Sequence, residues 1–349
     1  MKLVKDKIID LLNSNENGLR SSDIAKKLQV SKVTVLRYLS DLEENGEAVK
    51  FISGPRTWYM SKDSKELLIK KGLSFWKIYQ NKELEEQTAL DEIEKYFLNK
   101  IRLSDQAKSI FGFSFAEMMN NAIEHSKSKR IRVEVFTQGK TILCLIQDYG
   151  IGVFANIRTK NNLPSEIEAA REVLKGKITT EEKNHTGQGI FFTSRMTDSF
   201  VLKSHKNAIL VKNDKKSTIS IENLKKHIKG TSVVFTINQK THRHTSTIFS
   251  KYAEAEVGGF NTTEIHIKLY TKADYLVSRS QARRITSNLE KFSKVILDFS
   301  EVKNIGQGFS DEIFRVFKNK HPYIELSPIN MSHDVKFMIE RAESENKKK

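Results

Sequence analysis

FAEMMNNAIEHS, residues 115–126, is the segment from which the architecture of the whole chain is worked out. Glu117, Asn121 and His125 are spaced four apart, so on a predicted helix they share one face. Met118, Met119, Ala122 and Ile123 take positions that pack inward. A carboxylate one turn ahead of an amide suits a metal-bound phosphate. The amide oxygen can ligate Mg²⁺, and the carboxylate can orient or deprotonate a nucleophile. Taken alone, the same spacing also describes an exposed polar helix face.

The residues that follow add context. Ile131–Val135 alternates as a strand, a TQGK turn follows, and Thr141–Ile146 reads as a second, apolar strand. It runs into Asp148-Tyr149-Gly150-Ile151-Gly152, where a carboxylate at a strand end precedes glycines that let backbone approach a ligand. The exocyclic amine of adenine would suit that carboxylate. Further on, Thr186-Gly187-Gln188-Gly189 opens an apolar helix, IFFTSRM, and such a turn presents N–H groups to phosphate. Lys229-Gly230-Thr231 then leads into the strand SVVFTI and adds a hydroxyl.

In order and spacing these boxes resemble those of the GHKL ATPases: gyrases, heat-shock chaperones, histidine kinases and mismatch-repair proteins. The resemblance covers about residues 111–238. It implies an α/β sandwich with a Bergerat-type nucleotide pocket under a mobile lid, residues 153–186. It also implies ATP and Mg²⁺ as cofactors, with Asn121 as Mg²⁺ ligand, Asp148 as adenine reader and Glu117 as candidate general base. His125, Gly150, Gly152, Gly187, Gly189 and Thr231 complete the expected pocket. The AIEHS form is most similar to the anti-sigma-factor serine kinases. No G-x-x-x-x-G-K-[ST] string is present, which excludes a P-loop. The first histidine is His125, inside the core, so the acceptor-histidine hairpin of an autophosphorylating histidine kinase is not expected before the ATPase core.

Upstream, SSDIAKKLQVSKVTVLRYLSDLEENGEAVK reads as helix, turn and helix, with Ser31 as the cap of a helix from Lys32 to about Asn45. Val35, Leu39 and Leu42 form its inner stripe, and a hairpin follows around Ser53-Gly54-Pro55. Residues 1–62 resemble bacterial winged helix-turn-helix regulators, and DNA is the expected partner. Ser31, Lys32, Thr34 and Arg37 are the expected recognition residues, with Arg56 on the hairpin. Residues 63–110 read as a mostly helical, charged connector, a possible dimer element. Downstream, Lys294–Ser300 reads as a buried strand followed by a turn and helix. Residues 263–345 resemble STAS-type domains, used for protein partners. The slots that hold the phosphorylatable pair in that family are Gly306 and Gln307 here, and the nearest hydroxyl is Ser310.

The expected architecture is multidomain and α/β overall: a winged helix-turn-helix, a helical connector, a GHKL ATP-binding domain over 111–240 and a STAS-like domain over 263–345. The 349 residues exceed one ordinary core. One cysteine, Cys144, excludes a disulfide framework and a multi-thiolate zinc site. The charged N-terminus and the lack of a long apolar run point to the cytoplasm rather than a membrane. The net charge is +16, and residues 201–250 hold ten Lys/Arg against two acids. Such a block suits a polyanion or is a solvated edge. The function expected is an ATP-dependent transcriptional regulator, with a protein serine/threonine kinase or a DNA-processing or defence ATPase as alternatives.

Overall fold

Ile8, Leu12, Ile24, Val35, Leu39 and Leu42 are fully buried and draw three short helices into one core. Burying each such side chain is worth about 1.5–3 kcal/mol. The structure, a computed structural model, describes residues 4–15, 18–53, 56–64, 74–177, 188–214, 217–254, 259–270 and 275–346. These side chains come from helices α1 (Val4–Asn13), α2 (Ser21–Leu28) and α3 (Lys32–Glu44). Gln29, in the left-handed conformation at φ 54°, stops α2, and the Ser31 hydroxyl accepts the Thr34 N–H at 3.0 Å to start α3. Strands β1 (Ala48–Ser53) and β2 (Arg56–Ser61) pair antiparallel as the wing, and Leu19 joins Tyr59 as a short third strand.

The largest sheet has five antiparallel strands in the order β3-β4-β5-β7-β6. They are β3 (Ser74–Gln80), β4 (Arg130–Gln138), β5 (Thr141–Asp148), β6 (Ser199–Lys212) and β7 (Thr218–Asn238). Helices α4 (Glu86–Tyr96) and α5 (Asp105–Asn120) cover one face, where Phe111 meets Phe235 edge-on at 5.9 Å. On the other face the wing packs in an apolar patch: Val49, Trp58 and Met60 lie with Phe136, Leu143, Val201, Leu210 and Val234. The stretch expected to be a helical connector therefore contributes an edge strand. Phe75 and Tyr79 are buried while Trp76 and Ile78 stay exposed, and with both faces apolar the alternation of a strand is concealed.

Between β5 and β6 lie helices α6 (Val153–Lys160), α7 (Glu166–Lys175) and α8 (Gly189–Met196). The chain divides into two compact units: residues 1–166 with 192–245, and residues 167–191 with 246–349. The expected lid is thus split, and most of α7 belongs to the second unit.

That second unit is built on a parallel sheet in the order β8-β9-β10, with β8 (Thr262–His266), β9 (Lys294–Asp298) and β10 (Glu325–Ile329). After α9 (Thr245–Tyr252), the helices are α10 (Arg279–Thr286), α11 (Gln307–Asp311) and α12 (His333–Asn346). Ser278 and Gln281 form a full capping box at the start of α10. Helix α7 is structural here: Ala169, Ala170, Val173, Leu174 and Lys175 are buried. The Lys175 ammonium lies at the C-terminal end of α10, 2.8 Å from the Ser287 carbonyl and 3.4 Å from that of Arg284, where a helix dipole favours a cation. Its charge is balanced by Glu172 at 2.5 Å, whose other oxygen accepts from Asn288 at 3.0 Å. Burial pulls the Lys175 ammonium below the usual lysine range, and Glu172 opposes that shift. Thr263 of β8 donates to the Lys175 carbonyl at 2.6 Å, and Arg171 donates to the Leu269 carbonyl at 2.9 Å.

Candidate nucleotide-binding site

Helix α5 ends at Asn120, and residues Asn121–His125 continue it as a single π-turn. Bonds that close i to i+5 widen this turn, and Asn121 and His125, four residues apart, stand at its two ends. Glu117 and Asn121 are half-buried, and Met118, Met119 and Ala122 are buried as the sequence implied. The His125 imidazole lies 3.9 Å from Glu124, and the His125 carbonyl accepts from Asn156 of α6 at 3.4 Å.

Strand β5 delivers Asp148 to the turn that follows it. This carboxylate is 3% exposed, and its Oδ1 accepts two backbone N–H groups, from Gly150 at 2.9 Å and Thr231 at 3.2 Å. Burial raises its pKa above the usual carboxylate value, and the two N–H donors oppose that rise. The Thr231 hydroxyl accepts from Val153 N at 3.0 Å, which ties β7 to the start of α6. The Ser126 carbonyl accepts from Ile151 N at 2.9 Å and joins the end of the π-turn to the same loop.

Three glycines make this closeness possible. A Cβ on Gly150 would stand 1.7 Å from the Ser126 carbonyl oxygen. One on Gly230, at φ +73°, would meet the Asp148 carbonyl oxygen at 2.4 Å, and one on Gly152, at φ +81°, would meet the Ser204 hydroxyl at 2.5 Å. Three remote segments, 121–126, 148–153 and 230–231, therefore converge. Gly189 is the first residue of α8, and Gly187 lies outside the described residues.

Sequence spacing did not reveal the supporting serines and His205. Ser128 accepts from Tyr149 N at 3.0 Å and donates to the Arg130 carbonyl at 2.7 Å. His205 Nδ1 lies 2.9 Å from Glu166, and its Nε2 stands where a Gly152 side chain would be, so one imidazole abuts both ends of residues 152–166. Of these residues only Ser126 carried a signal, as the last letter of the opening string.

On the winged helix, Ser31, Lys32 and Arg37 are exposed, and the Arg37 guanidinium sits 5.0 Å over the Tyr38 ring. Thr34 is half-buried, with its hydroxyl 2.8 Å from that of Ser31. Arg56 opens β2, and its side chain lies outside the described residues. In the second unit, Ser310 is 1% exposed and its hydroxyl donates to the Gly306 and Gln307 carbonyls. Among the described residues no helix is long and apolar enough to cross a membrane.

Three family models match the chain. They are an HTH domain over residues 4–59, a histidine kinase-like ATPase domain over residues 81–212, and a STAS-like domain of unknown function (DUF4325) over residues 281–336. No curated protein matches. Among solved structures, a proposed ICLR transcriptional regulator from Silicibacter sp. TM1040 is similar at 12% identity over 63% of this chain and 78% of that one, with a TM-score of 0.12. Glu117, Asn121, Asp148, Gly150, Gly152, Gly187 and Gly189 lie within the ATPase match, Gly230 and Thr231 lie beyond its end, and Ser31 to Arg37 lie within the HTH match. The chain thus joins an N-terminal winged helix, a GHKL-type histidine kinase-like ATPase domain and a C-terminal STAS-like domain.

Proposed function

We propose that the protein is an ATP-binding transcriptional regulator in which nucleotide occupancy controls the winged helix and the STAS-like module. The observation that carries this reading is the buried Asp148 carboxylate, enclosed by Gly150, Gly230 and Thr231. A carboxylate at this depth needs polar partners to repay its desolvation. Both backbone donors meet on Oδ1, and Oδ2 would accept the exocyclic amine of adenine. Asn121 would hold Mg²⁺ through its amide oxygen, and the ion would neutralise triphosphate charge there. Glu117, one turn before it, is the residue to accept a proton from an attacking water.

Coupling would run through the residues between Gly152 and Gly189. The first unit keeps their beginning, through His205 and Glu166, and the second unit holds α7. A nucleotide that binds two arrangements of this segment unequally shifts the balance between them. Ser31, Lys32, Thr34, Arg37 and Arg56 would contact DNA, and the STAS-like module would receive or pass on the signal to a protein partner.

Isothermal titration with ATP, with and without Mg²⁺, tests the pocket. Mg²⁺-dependent binding that Asp148→Asn weakens supports it, and equal binding by both proteins rejects it. Incubation with γ-labelled ATP separates the chemistry: label on protein indicates a kinase, free phosphate an ATPase, neither a binding switch. The burial of Ser310 argues against that residue as an acceptor.

A further inference from the structure

The basic block at residues 201–250 takes a specific form in the structure. Strand β7 pairs with β5 only from Ser232 onward, so its earlier half forms a two-stranded ribbon with β6. The ribbon register slips twice. Ser204 faces Thr231 and His205 faces Ile228, which leaves Lys229 and Gly230 as a bulge on β7. Asn207 then faces Asn223, so Leu224, Lys225, Lys226 and His227 bulge opposite the single residue Lys206. A bulge bends its strand and re-aims its side chains. Here Lys225, Lys226, His227 and Lys229 are exposed, as is Lys206 across from them. The His227 ring stacks on His205 at 4.9 Å, which fixes one end of the bulge to the ribbon.

No ion pair joins Lys206, Lys225, Lys226 or Lys229 to another described residue, whereas Lys212 is paired with Asp214 at 2.6 Å. The ribbon also lies against the wing, since Leu210 packs in the same apolar patch as Val49 and Trp58. Lys50 of the wing adds its positive charge beside Lys203 of β6, whose ammonium burial and that neighbour together hold below the usual lysine range. Like charges gathered on a protruding element cost stability unless an anion offsets them.

We infer that the bulged ribbon of β6 and β7 is a second DNA-backbone contact, in which Lys225, Lys226 and Lys229 neutralise phosphates beyond those met by the winged helix. This inference rests on the DNA-binding reading of residues 1–62. Phosphate contacts are independent of sequence, so any duplex reports them. Each lysine that releases a counterion adds about 0.9 to the slope of log K against log salt.

The test uses the full chain and a fluorescein-labelled duplex of arbitrary sequence, with anisotropy followed across a salt titration. The triple variant Lys225→Gln/Lys226→Gln/Lys229→Gln is expected to lower the slope by about 2.5–3. It should keep the wild-type melting temperature and ATP affinity, and Lys320→Gln should leave the slope unchanged. A triple variant with the wild-type slope overturns the inference. So does one that keeps its DNA slope and loses ATP affinity, because the bulge would then serve the triphosphate. If the wild-type chain binds no duplex at low salt, the DNA reading itself fails and the ribbon contact fails with it.

Discussion

Asp148→Asn should weaken nucleotide binding and strengthen the fold at the same time. The asparagine oxygen can still accept the N–H groups of Gly150 and Thr231, which lie 2.9 and 3.2 Å from Oδ1, so the loop keeps its anchors. In place of Oδ2 the variant presents an amide NH₂, a donor facing the donor of adenine. Loss of one charge-assisted hydrogen bond together with an unsatisfied donor amounts to about 2–4 kcal/mol, roughly a 30- to 700-fold rise in Kd. Stability moves the other way. Burial raises the folded-state pKa of Asp148, so its contribution to stability is fully present below its ordinary value of 3.8 and is lost as pH rises through the folded value. Removing the charge should therefore raise Tm at pH 7, and the gain should vanish near pH 3. Calorimetric titration and thermal melts at the two pH values measure both effects. A variant that binds ATP as tightly as wild type, or that melts lower at pH 7 and equally lower at pH 3, would refute the reasoning.

Three further outcomes are expected. Gly150→Ala should cost more than about 3 kcal/mol in urea unfolding, because backbone stands where the methyl group must go, whereas Gly112→Ala in α5 has open space and should gain about 0.5–1 kcal/mol. Lys175→Met leaves Glu172 buried without its cation and should destabilise by about 3–5 kcal/mol, while Lys175→Met/Glu172→Gln should recover much of that loss in the same denaturation assay. Asp298 is pushed up by burial but drawn down further by hydrogen bonds from His266, Asn330 and Ser300, so its pKa is lowered. The stability it confers is present above its ordinary value of 3.8 and lost as pH falls through the folded value, so Asn330→Ala should flatten the acid side of the melting profile.

Local rules made much of this legible. Ser31 caps α3 because its hydroxyl meets the Thr34 N–H three residues on, a spacing readable in any sequence. Asp148 ends a strand, and the glycines beside it are required by contacts with Ser126 and Asp148 itself. What stayed hidden depends on partners remote in sequence. The strand character of residues 74–80 emerges only on pairing with residues 130–136, since Trp76 and Ile78 make both faces apolar. The π-turn at Asn121–His125 has no composition that sets it apart from an ordinary helix end. Burial of Lys175 was illegible because its acceptors, the carbonyls of Arg284 and Ser287, lie more than a hundred residues downstream. The packing of Val49, Trp58 and Met60 of the wing against the sheet likewise depends on Phe136, Leu143, Val201 and Val234, far along the chain.

Helix α7 has a practical corollary for anyone dissecting the protein. A cut anywhere between residues 192 and 262 looks harmless on a domain map, but it leaves residues 167–175 on a fragment without Thr263, Leu269, Ser287 and Asn288. Such an amputated ATPase would expose an apolar helix with a stranded lysine–glutamate pair. Its solubility and nucleotide affinity would describe the injury rather than the whole protein, and the complementary C-terminal piece would be missing one of its own walls.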